Sequence, residues 1–369
     1  MTLQGFSSLR IGLIGPLPPP SGGMANQTRQ LGELFTAAGA NVTTIQVNTA
    51  YSPAWIGKVP LLRSVFRLFP YLLGLWRAAG QVDVFHVMAN SGWSWHLFAV
   101  PAVWVAHWRG VPVIVNYHGG EASGFLQRSE RLVRFTLRQA AALVVPSGYL
   151  QRVFDEHGLP AEIVPNIVDL DLFHPRRAIQ QGGPHLIVAR NLEPLYDNET
   201  AIRAFKIVKA TFPQSRLTLA GSGPQGPYLR QLVIDNGLSE SVNFAGRLDR
   251  DDMAALYRSA DLMLNPSLVD NMPVSILEAW ASGVPVVSTN VGGIPYLAQE
   301  GVTASLVQPA DPAAMAQACL ALLSNVDLWQ QRARAGLQET QRYTWQRVQP
   351  VLADVYQRAV SCNGKLSKS

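Results

Sequence analysis

The sequence predicts an α/β protein built from two doubly wound, Rossmann-like domains, and three observations carry that expectation. Short strand-like runs alternate with longer helical stretches along the whole chain, the rhythm of βαβ units and of parallel sheets covered on both faces. A length of 369 residues is too long for one ordinary core and suits two domains of common size. The rhythm breaks once, at "HPRRAIQQGGPH" (His174 to His185), a polar stretch with two glycines and two prolines that reads as a linker.

Taken in order, the first half offers "RIGLIG", "NVTTIQVN", "VDVFHVMA", "VPVIVNYH" and "ALVVPS" as strands. The second offers "HLIVAR", "RLTLAGS", "SVNFAG", "DLMLNPS" and "VPVVST". Between the last two, Pro273 opens a helix, because its missing N–H is unpaired at that position in any case. This helix runs to about Ser282, and Gly283 stops it. The expected division is residues 1–173 as a first domain, 174–184 as linker, 185–343 as a second domain and 344–369 as a C-terminal helix. Periodicity alone leaves open whether that helix, around "YTWQRVQPVLADVYQRAV", crosses back to the first domain. Ligands of open parallel sheets bind at the carboxyl ends of the strands, so two such domains facing each other would make one interdomain cleft.

Composition narrows the function classes. With 48% hydrophobic and 15% charged residues the chain is globular and not disordered. Its two cysteines, Cys319 and Cys362, exclude a disulfide framework or a cysteine-rich metal site and fit a reducing compartment. "MTLQGFSSLRIGLIGPLPPP" lacks a basic segment followed by a long apolar core, so a cytoplasmic protein without a signal peptide is expected. A net charge of +5 would suit acidic partners, but the cations are scattered without aromatic interleaving, which argues against nucleic acid.

One basic and apolar stretch stands apart, "WIGKVPLLRSVFRLFPYLLGLWRAAG" (Trp55 to Gly80). Lys58, Arg63, Arg67 and Arg77 punctuate bulky apolar residues, and Arg63 and Arg67 would share a helix face. The stretch reads equally as a helix resting on an anionic membrane surface and as a core helix with a snorkelling basic edge. The most apolar run, "WSWHLFAVPAVWVAHWRG", is interrupted by His96, Pro101 and His107 and is no membrane span. Peripheral association with the inner face of a cell membrane is the most the sequence supports.

The helix opened by Pro273 is the best candidate for chemistry. The first-turn N–H groups of Val274 and Ser275 sit at the positive end of the helix dipole, where phosphate binds well. Glu278 falls on the same face as Val274, about 6 Å further along the axis, where ribose hydroxyls would find an acceptor. Asp270, in the preceding loop, would reach the group on the far side of a diphosphate. The bland alternative makes Asp270 a helix cap and Glu278 a polar-face residue. Against it, "SILEAWA" sets Glu278 among apolar neighbours, where an unpartnered carboxylate is costly.

"SLVDNMPVSILEAWASGVPVVSTNVGGIPYL" resembles the acid-x7-acid region of family 4 glycosyltransferases of the GT-B fold. "PSGGMANQTRQL" is similar to their first-strand glycine loop, "VNYHGGEA" to their cleft histidine segment and "VPNIVDLDLFHP" to their pre-linker strand. "IVARNLEPLYDNETAIRAF" and "LAGSGPQGPYL" are similar to their phosphate clamp and the loop that follows. The resemblance extends over most of the chain. It implies that Glu278 binds the nucleotide ribose, that Asp270 contacts the donor sugar, and that the backbone from Asn271 through Met272 and Pro273 to Val274 holds sugar or phosphate oxygens through its amides. It implies further that Gly22 and Gly23 admit the diphosphate to the backbone, a role otherwise read as a surface turn. His118 would face the transferred sugar, against the plainer reading of a structural histidine. Arg190 would stabilise charge on the leaving group, against that of an interdomain salt bridge.

The resemblance implies a transferase that moves a sugar from a nucleoside-diphosphate sugar to a carbohydrate or lipid-linked acceptor, with retained anomeric configuration and neither cofactor nor metal. An inverting enzyme would instead need Glu121 or His118 as base. A GT-B epimerase and a non-catalytic nucleotide-sugar-binding partner are the alternatives. Two departures bear on this. Asp270 stands where the family usually has glutamate, and Leu195 or Tyr196 stands where the clamp has a lysine, for which Arg247 or further amides would have to compensate. Gly221, Gly223 and Gly226 imitate a dinucleotide fingerprint, but follow the second strand of their domain, not the first. "DLD" (Asp169 to Asp171) reads as capping and not as a metal-binding pair, and the seven histidines have no ligand partners at zinc spacing.

Overall fold

A computed structural model describes residues 6–19, 22–49, 60–175 and 183–366. Chain contacts gather these into two compact units, one running to Pro165 and resuming at Gln346, the other spanning Asn166–Trp345. Both are parallel α/β sandwiches.

Unit 1 runs β1 (Arg10–Gly15), α1 (Gly23–Ala37), β2 (Asn41–Gln46), α2 (Pro60–Ala78), β3 (Val84–Ala89), α3 (Val100–Trp108), β4 (Val113–Tyr117), α4 (Ala122–Leu137), β5 (Ala142–Val145), α5 (Gly148–Glu156) and β6 (Glu162–Ile163). Its strands order as β2-β1-β3-β4-β5-β6, all parallel. Every residue of β3 and β4 is buried, as expected of central strands covered on both faces. A short π-helical stretch, Trp95–Ala99, leads into α3.

Unit 2 runs β7 (His185–Val188), α6 (Asn198–Thr211), β8 (Arg216–Ala220), α7 (Gly226–Asp235), β9 (Val242–Gly246), α8 (Arg250–Ser259), β10 (Leu262–Asn265), α9 (Val274–Ala281), β11 (Val286–Thr289), α10 (Ile294–Leu297), β12 (Ala304–Val307), α11 (Pro312–Leu323) and α12 (Val326–Thr340). The order is β12-β11-β10-β7-β8-β9, again parallel. Alternation along each strand splits the core between the faces. Leu186 and Val188 pack with α6, α7 and α11, while Ile187 and Met263 pack with α8, α9 and α10.

The final helix, α13 (Trp345–Leu366), belongs from Gln346 onward to unit 1. Tyr356 is buried between Phe6 and Phe35, its hydroxyl 2.8 Å from His86 Nδ1, and Arg358 pairs with Glu162 at 2.5 Å. The sequence had left that return open.

Both unit boundaries differ from the sequence reading. Residues from Asn166 pack with unit 2, because Val168 N–H donates to the Tyr343 carbonyl, Asp169 pairs with Arg250 at 2.8 Å, and Phe173 packs edge-on to Tyr257. "VPNIVDLDLFHP" is not a strand; the strand is the two-residue β6 just before it. Each sheet has a sixth strand that the sequence reading omitted, β6 and β12. Of the expected linker, residues 176–182 lie outside the described residues.

The stretch Trp55 to Gly80 is described only from Pro60, so Lys58 falls outside. Within α2, Tyr71, Leu75 and Ala78 are buried, and Tyr71 donates to the Phe98 carbonyl at 2.7 Å. Phe66, Phe69 and Trp76 stay exposed on the same helix. It is thus a core helix with a second apolar face. Among the described residues no helix is long and apolar enough to cross a membrane.

Candidate functional site

The order of unit 2 reverses between β7 and β10, so the carboxyl ends of these two strands diverge and leave a crevice at the switch point. Arg190 leaves β7 there and Asn265 ends β10. Arg190 Nε donates to Asn265 Oδ1 at 2.7 Å, and its Nη2 pairs with Asp270 Oδ2. Both side chains of this ion pair are only 11% exposed. The Arg190 guanidinium also lies over the Tyr196 ring, 5.2 Å from its centroid.

Four glycines set the loops that carry this pair. A Cβ on Gly221 would meet the Arg190 carbonyl oxygen at 2.0 Å, and one on Gly223 the Leu192 carbonyl at 2.3 Å. The loop after β8 therefore presses backbone to backbone on the loop after β7. That contact accounts for the spacing that imitates a dinucleotide fingerprint. On the other side, Gly292 and Gly293 would meet the carbonyls of Asp270 and Asn271 at 2.1 and 2.0 Å, and Gly293 N–H donates to the Asp270 carbonyl.

Helix α9 begins at Val274, with Pro273 at its N-cap in extended backbone, not at the first helical position. Proline has no capping oxygen, so the first turn has no side-chain acceptor. Asp270 does not cap this helix. Its Oδ1 accepts from the Asn271 amide at 3.0 Å, so that amide, expected to hold substrate oxygens, is already engaged. Met272 is buried and its carbonyl accepts from Asn166 Nδ2 at 2.9 Å. In the first turn the Ser275 hydroxyl is buried and has no hydrogen-bond partner among the described residues.

One turn on, Glu278 accepts at Oε2 from the Tyr257 hydroxyl at 3.1 Å. Desolvation pushes its carboxyl up to about 7, against the opposing pull of that hydrogen bond and of Arg250 and Arg190. Burial and the adjacent Glu278 raise the Tyr257 phenol well above its ordinary value.

Arg247 does not join the group. It is exposed after β9, and Arg250, the first residue of α8, takes the interior position, paired with Asp169 and felt by Glu278. Asp169 also caps a turn through Asp171 N–H and Leu172 N–H, at 3.1 and 3.2 Å. Sequence reasoning missed Arg250, Tyr257 and Asn265. Only Asn265 left a signal, a polar residue closing the apolar strand "LML" at the switch point.

Unit 1 presents its own expected residues at strand ends. Gly22 is the N-cap and Gly23 the first residue of α1, after β1, and a Cβ on either would meet nothing within 4 Å among the described residues. His118 follows β4, its N–H donating to the Ala89 carbonyl at 2.9 Å. The residue as a whole is half-buried, and its Nε2 is buried with no hydrogen-bond partner among the described residues. Desolvation lowers its pKa to about 4.

Comparison with known proteins identifies this architecture. The family model "Glycosyltransferase Family 4" matches residues 21–172, and "Glycosyl transferases group 1" matches 183–325. The chain belongs to the family 4 glycosyltransferases. The glycogen synthase of Mycobacterium tuberculosis is 31% identical over 275 residues, 70% of this chain and 66% of that protein. The chain thus spans about two thirds of that relative's length. The phosphatidyl-myo-inositol mannosyltransferase of Mycobacterium leprae is 25% identical over 97% of this chain and 99% of its own. Among solved structures, sucrose-phosphate synthase from Thermosynechococcus elongatus superposes with a TM-score of 0.75 at 18% identity, over 96% of this chain and 100% of that one. HepE from Anabaena, in complex with UDP and glucose, does so with 0.74 at 17%, over 95% and 99%. The two parallel sheets are those of the GT-B fold.

Proposed function

We propose that this glycosyltransferase transfers a hexose from a nucleoside-diphosphate sugar bound to unit 2 onto an acceptor held by unit 1, with retention and without a metal ion. The observation that carries the reading is the near-buried Arg190–Asp270 pair at the switch point, with an uncapped helix bearing Glu278 one turn inside. Arg190 offers the diphosphate a fixed cation, the first-turn amides of α9 add their dipole, and Glu278 accepts from the ribose. Asp270, released from Arg190 by the incoming diphosphate, is left free to accept from sugar hydroxyls. Gly22 and Gly23 leave the start of α1 open to a ligand.

Retention is supported by what the first unit offers as base. With a pKa near 4, His118 is a weak general base at neutral pH, and Glu121 is exposed at the start of α4. A leaving diphosphate that takes the acceptor proton on the same face needs neither. Inverted product in an NMR time course would sink this assignment. Metal independence is supported by Asp169, which is turned to capping and to Arg250.

The relative named phosphatidyl-myo-inositol mannosyltransferase supports a lipid-linked acceptor, and the UDP complex of HepE puts UDP sugars first among donors. Surface chemistry agrees. Phe69 is 68% and Trp108 66% exposed, with Phe66, Trp76 and Phe135 also open and Arg109 stacked on Trp76 at 4.8 Å. We take this as an anionic-membrane face and propose an enzyme in the cytoplasm, held on the inner surface of the cell membrane. Failure of the protein to float with anionic liposomes at low salt would remove that placement.

The decisive test is a thermal-shift panel of UDP, GDP and ADP sugars on wild type and Glu278→Ala, followed by acceptor-dependent release of nucleoside diphosphate. Ligand at a hundredfold over Kd adds about 2.7 kcal/mol. One nucleotide is expected to shift wild type and not the variant. Because the ionised carboxylate is the better acceptor, affinity is expected to rise as pH rises through about 7, and to be flat in Glu278→Gln. Silence across the panel in wild type would end the donor reading.

A further inference from the structure

We propose that Tyr196 is the positioning residue of the diphosphate site: its ring face holds the Arg190 guanidinium in orientation, where the family's clamp places a second cation. This rests on the donor reading above. The turn Pro194–Tyr196 is pinned on both sides. The Leu195 carbonyl accepts from Leu268 N–H at 2.9 Å, which ties the turn to the loop after β10. Asp197, in the left-handed region at φ 41°, caps α6 through Thr200, and Asn198 Nδ2 donates back to the Asn191 carbonyl at 2.9 Å. A residue between two such anchors has its backbone fixed. Of the two candidates for the lysine's place, only Tyr196 turns its side chain onto Arg190.

Three sides of the guanidinium are then determined. Its Nε edge is bound to Asn265, its Nη2 to Asp270 and one face to the ring of Tyr196. Among the described residues, Nη1 has no protein acceptor and is left for an anion. A lysine at position 196 would add charge but would also repel Arg190. The ring instead attracts the guanidinium, and burial raises the phenol above its ordinary value, so it stays neutral. The result is one cation held on three sides where the family's clamp has two.

The role belongs to the ring and not to the hydroxyl, which makes it separable. The full chain, as Tyr196→Phe and as Tyr196→Leu, would be titrated calorimetrically with UDP, GDP and ADP and with uridine, guanosine and adenosine. For the base that wild type binds, Tyr196→Phe is expected to keep diphosphate affinity within twofold. Tyr196→Leu is expected to weaken it tenfold or more, with nucleoside affinity unchanged, since Glu278 is untouched. Equal loss of nucleoside and diphosphate in Tyr196→Leu would show a merely structural tyrosine and overturn the proposal. So would a Tyr196→Leu that binds like wild type, or a Tyr196→Phe as weak as Tyr196→Leu. If wild type binds none of the diphosphates, the donor reading itself fails, and Tyr196 with it.

Discussion

The two units share a sheet of six parallel strands whose order reverses beside the first strand, yet they use their buried polar residues in opposite ways. Unit 2 concentrates charge at the reversal: Arg190, Asp270 and Glu278 lie in or against the core, held by Asn265, Tyr196 and Tyr257. Unit 1 buries a neutral imidazole in the middle of β3. His86 is fully buried, stacks on Tyr356, and lies 2.8 Å from its hydroxyl and 3.1 Å from Asn116 Nδ2. One topology therefore supports a poised ionic site and an inert polar bolt. What differs is whether the polar groups gather at the carboxyl ends of the strands, where a ligand can reach them, or sit in mid-strand, where Asn116 and Tyr356 close over them.

The largest effect is expected where the ionic site is cut. Arg190→Ala leaves Asp270 near-buried and unpaired, and breaking such a pair costs about 3 to 5 kcal/mol. Arg190→Met combined with Asp270→Leu is expected to regain most of that stability in urea unfolding while donor binding stays lost. That split would separate the pair's role in catalysis from its role in folding. A loss under about 1 kcal/mol in Arg190→Ala would mean that the pair is not an anchor of unit 2.

The contrasting bolt should reveal itself with acid. Desolvation holds His86 down at a pKa of about 3, whereas in the unfolded chain it titrates near 6.5. The unfolded state therefore binds more protons across this window. Its contribution is complete above pH 6.5 and declines as pH falls towards 3, by about 3 kcal/mol at pH 4. His86→Gln, which cannot titrate, is expected to lose less melting temperature between pH 7 and pH 4 than wild type. Equal losses would show that His86 does not set the acid stability of unit 1.

The same contrast explains what could be read from the sequence. All ten expected strands are present: central strands such as β3 and β4 are written as continuous apolar runs, and the more exposed edge strands β2 and β9 still carry β-branched or aromatic residues. β6 is two exposed residues, too short to leave a run, and in β12 "ASLV" mixes small and polar residues with apolar ones and is only partly covered. Asp270 and Arg190 are legible because they follow the ends of apolar runs, and Glu278 because it is a lone carboxylate among the apolar residues of α9. Their partners are not, since Tyr257 and Asn265 look like core and cap residues until tertiary packing brings them to the carboxylate and the guanidinium. Arg250 lost to Arg247 because a three-residue difference on a helix start cannot be resolved without the helix. The glycines at Gly221 and Gly223 were weighed for a nucleotide, when the backbone they admit is the protein's own.

Glycines give the smallest and most discriminating comparison. Gly221→Ala drives a Cβ to 2.0 Å from the Arg190 carbonyl, so the loop must move, at a cost of about 1 to 3 kcal/mol and with Arg190 displaced. Gly22→Ala and Gly23→Ala meet nothing, and Gly22 sits at φ −171°, extended backbone open to any residue. Gly23→Ala is expected to stay within about 0.5 kcal/mol of wild type in the same urea titration, and Gly22→Ala to lose no more than about 1 kcal/mol, because alanine is a poorer N-cap than glycine. Beyond that cap preference, nothing among the described residues of unit 1 asks for glycine at these two positions. If transfer falls in Gly22→Ala or Gly23→Ala while stability holds, the demand comes from a ligand close against the start of α1. If neither quantity moves, the pair is a surface turn after "PLPPPS", and the charged site of unit 2 binds its donor without them.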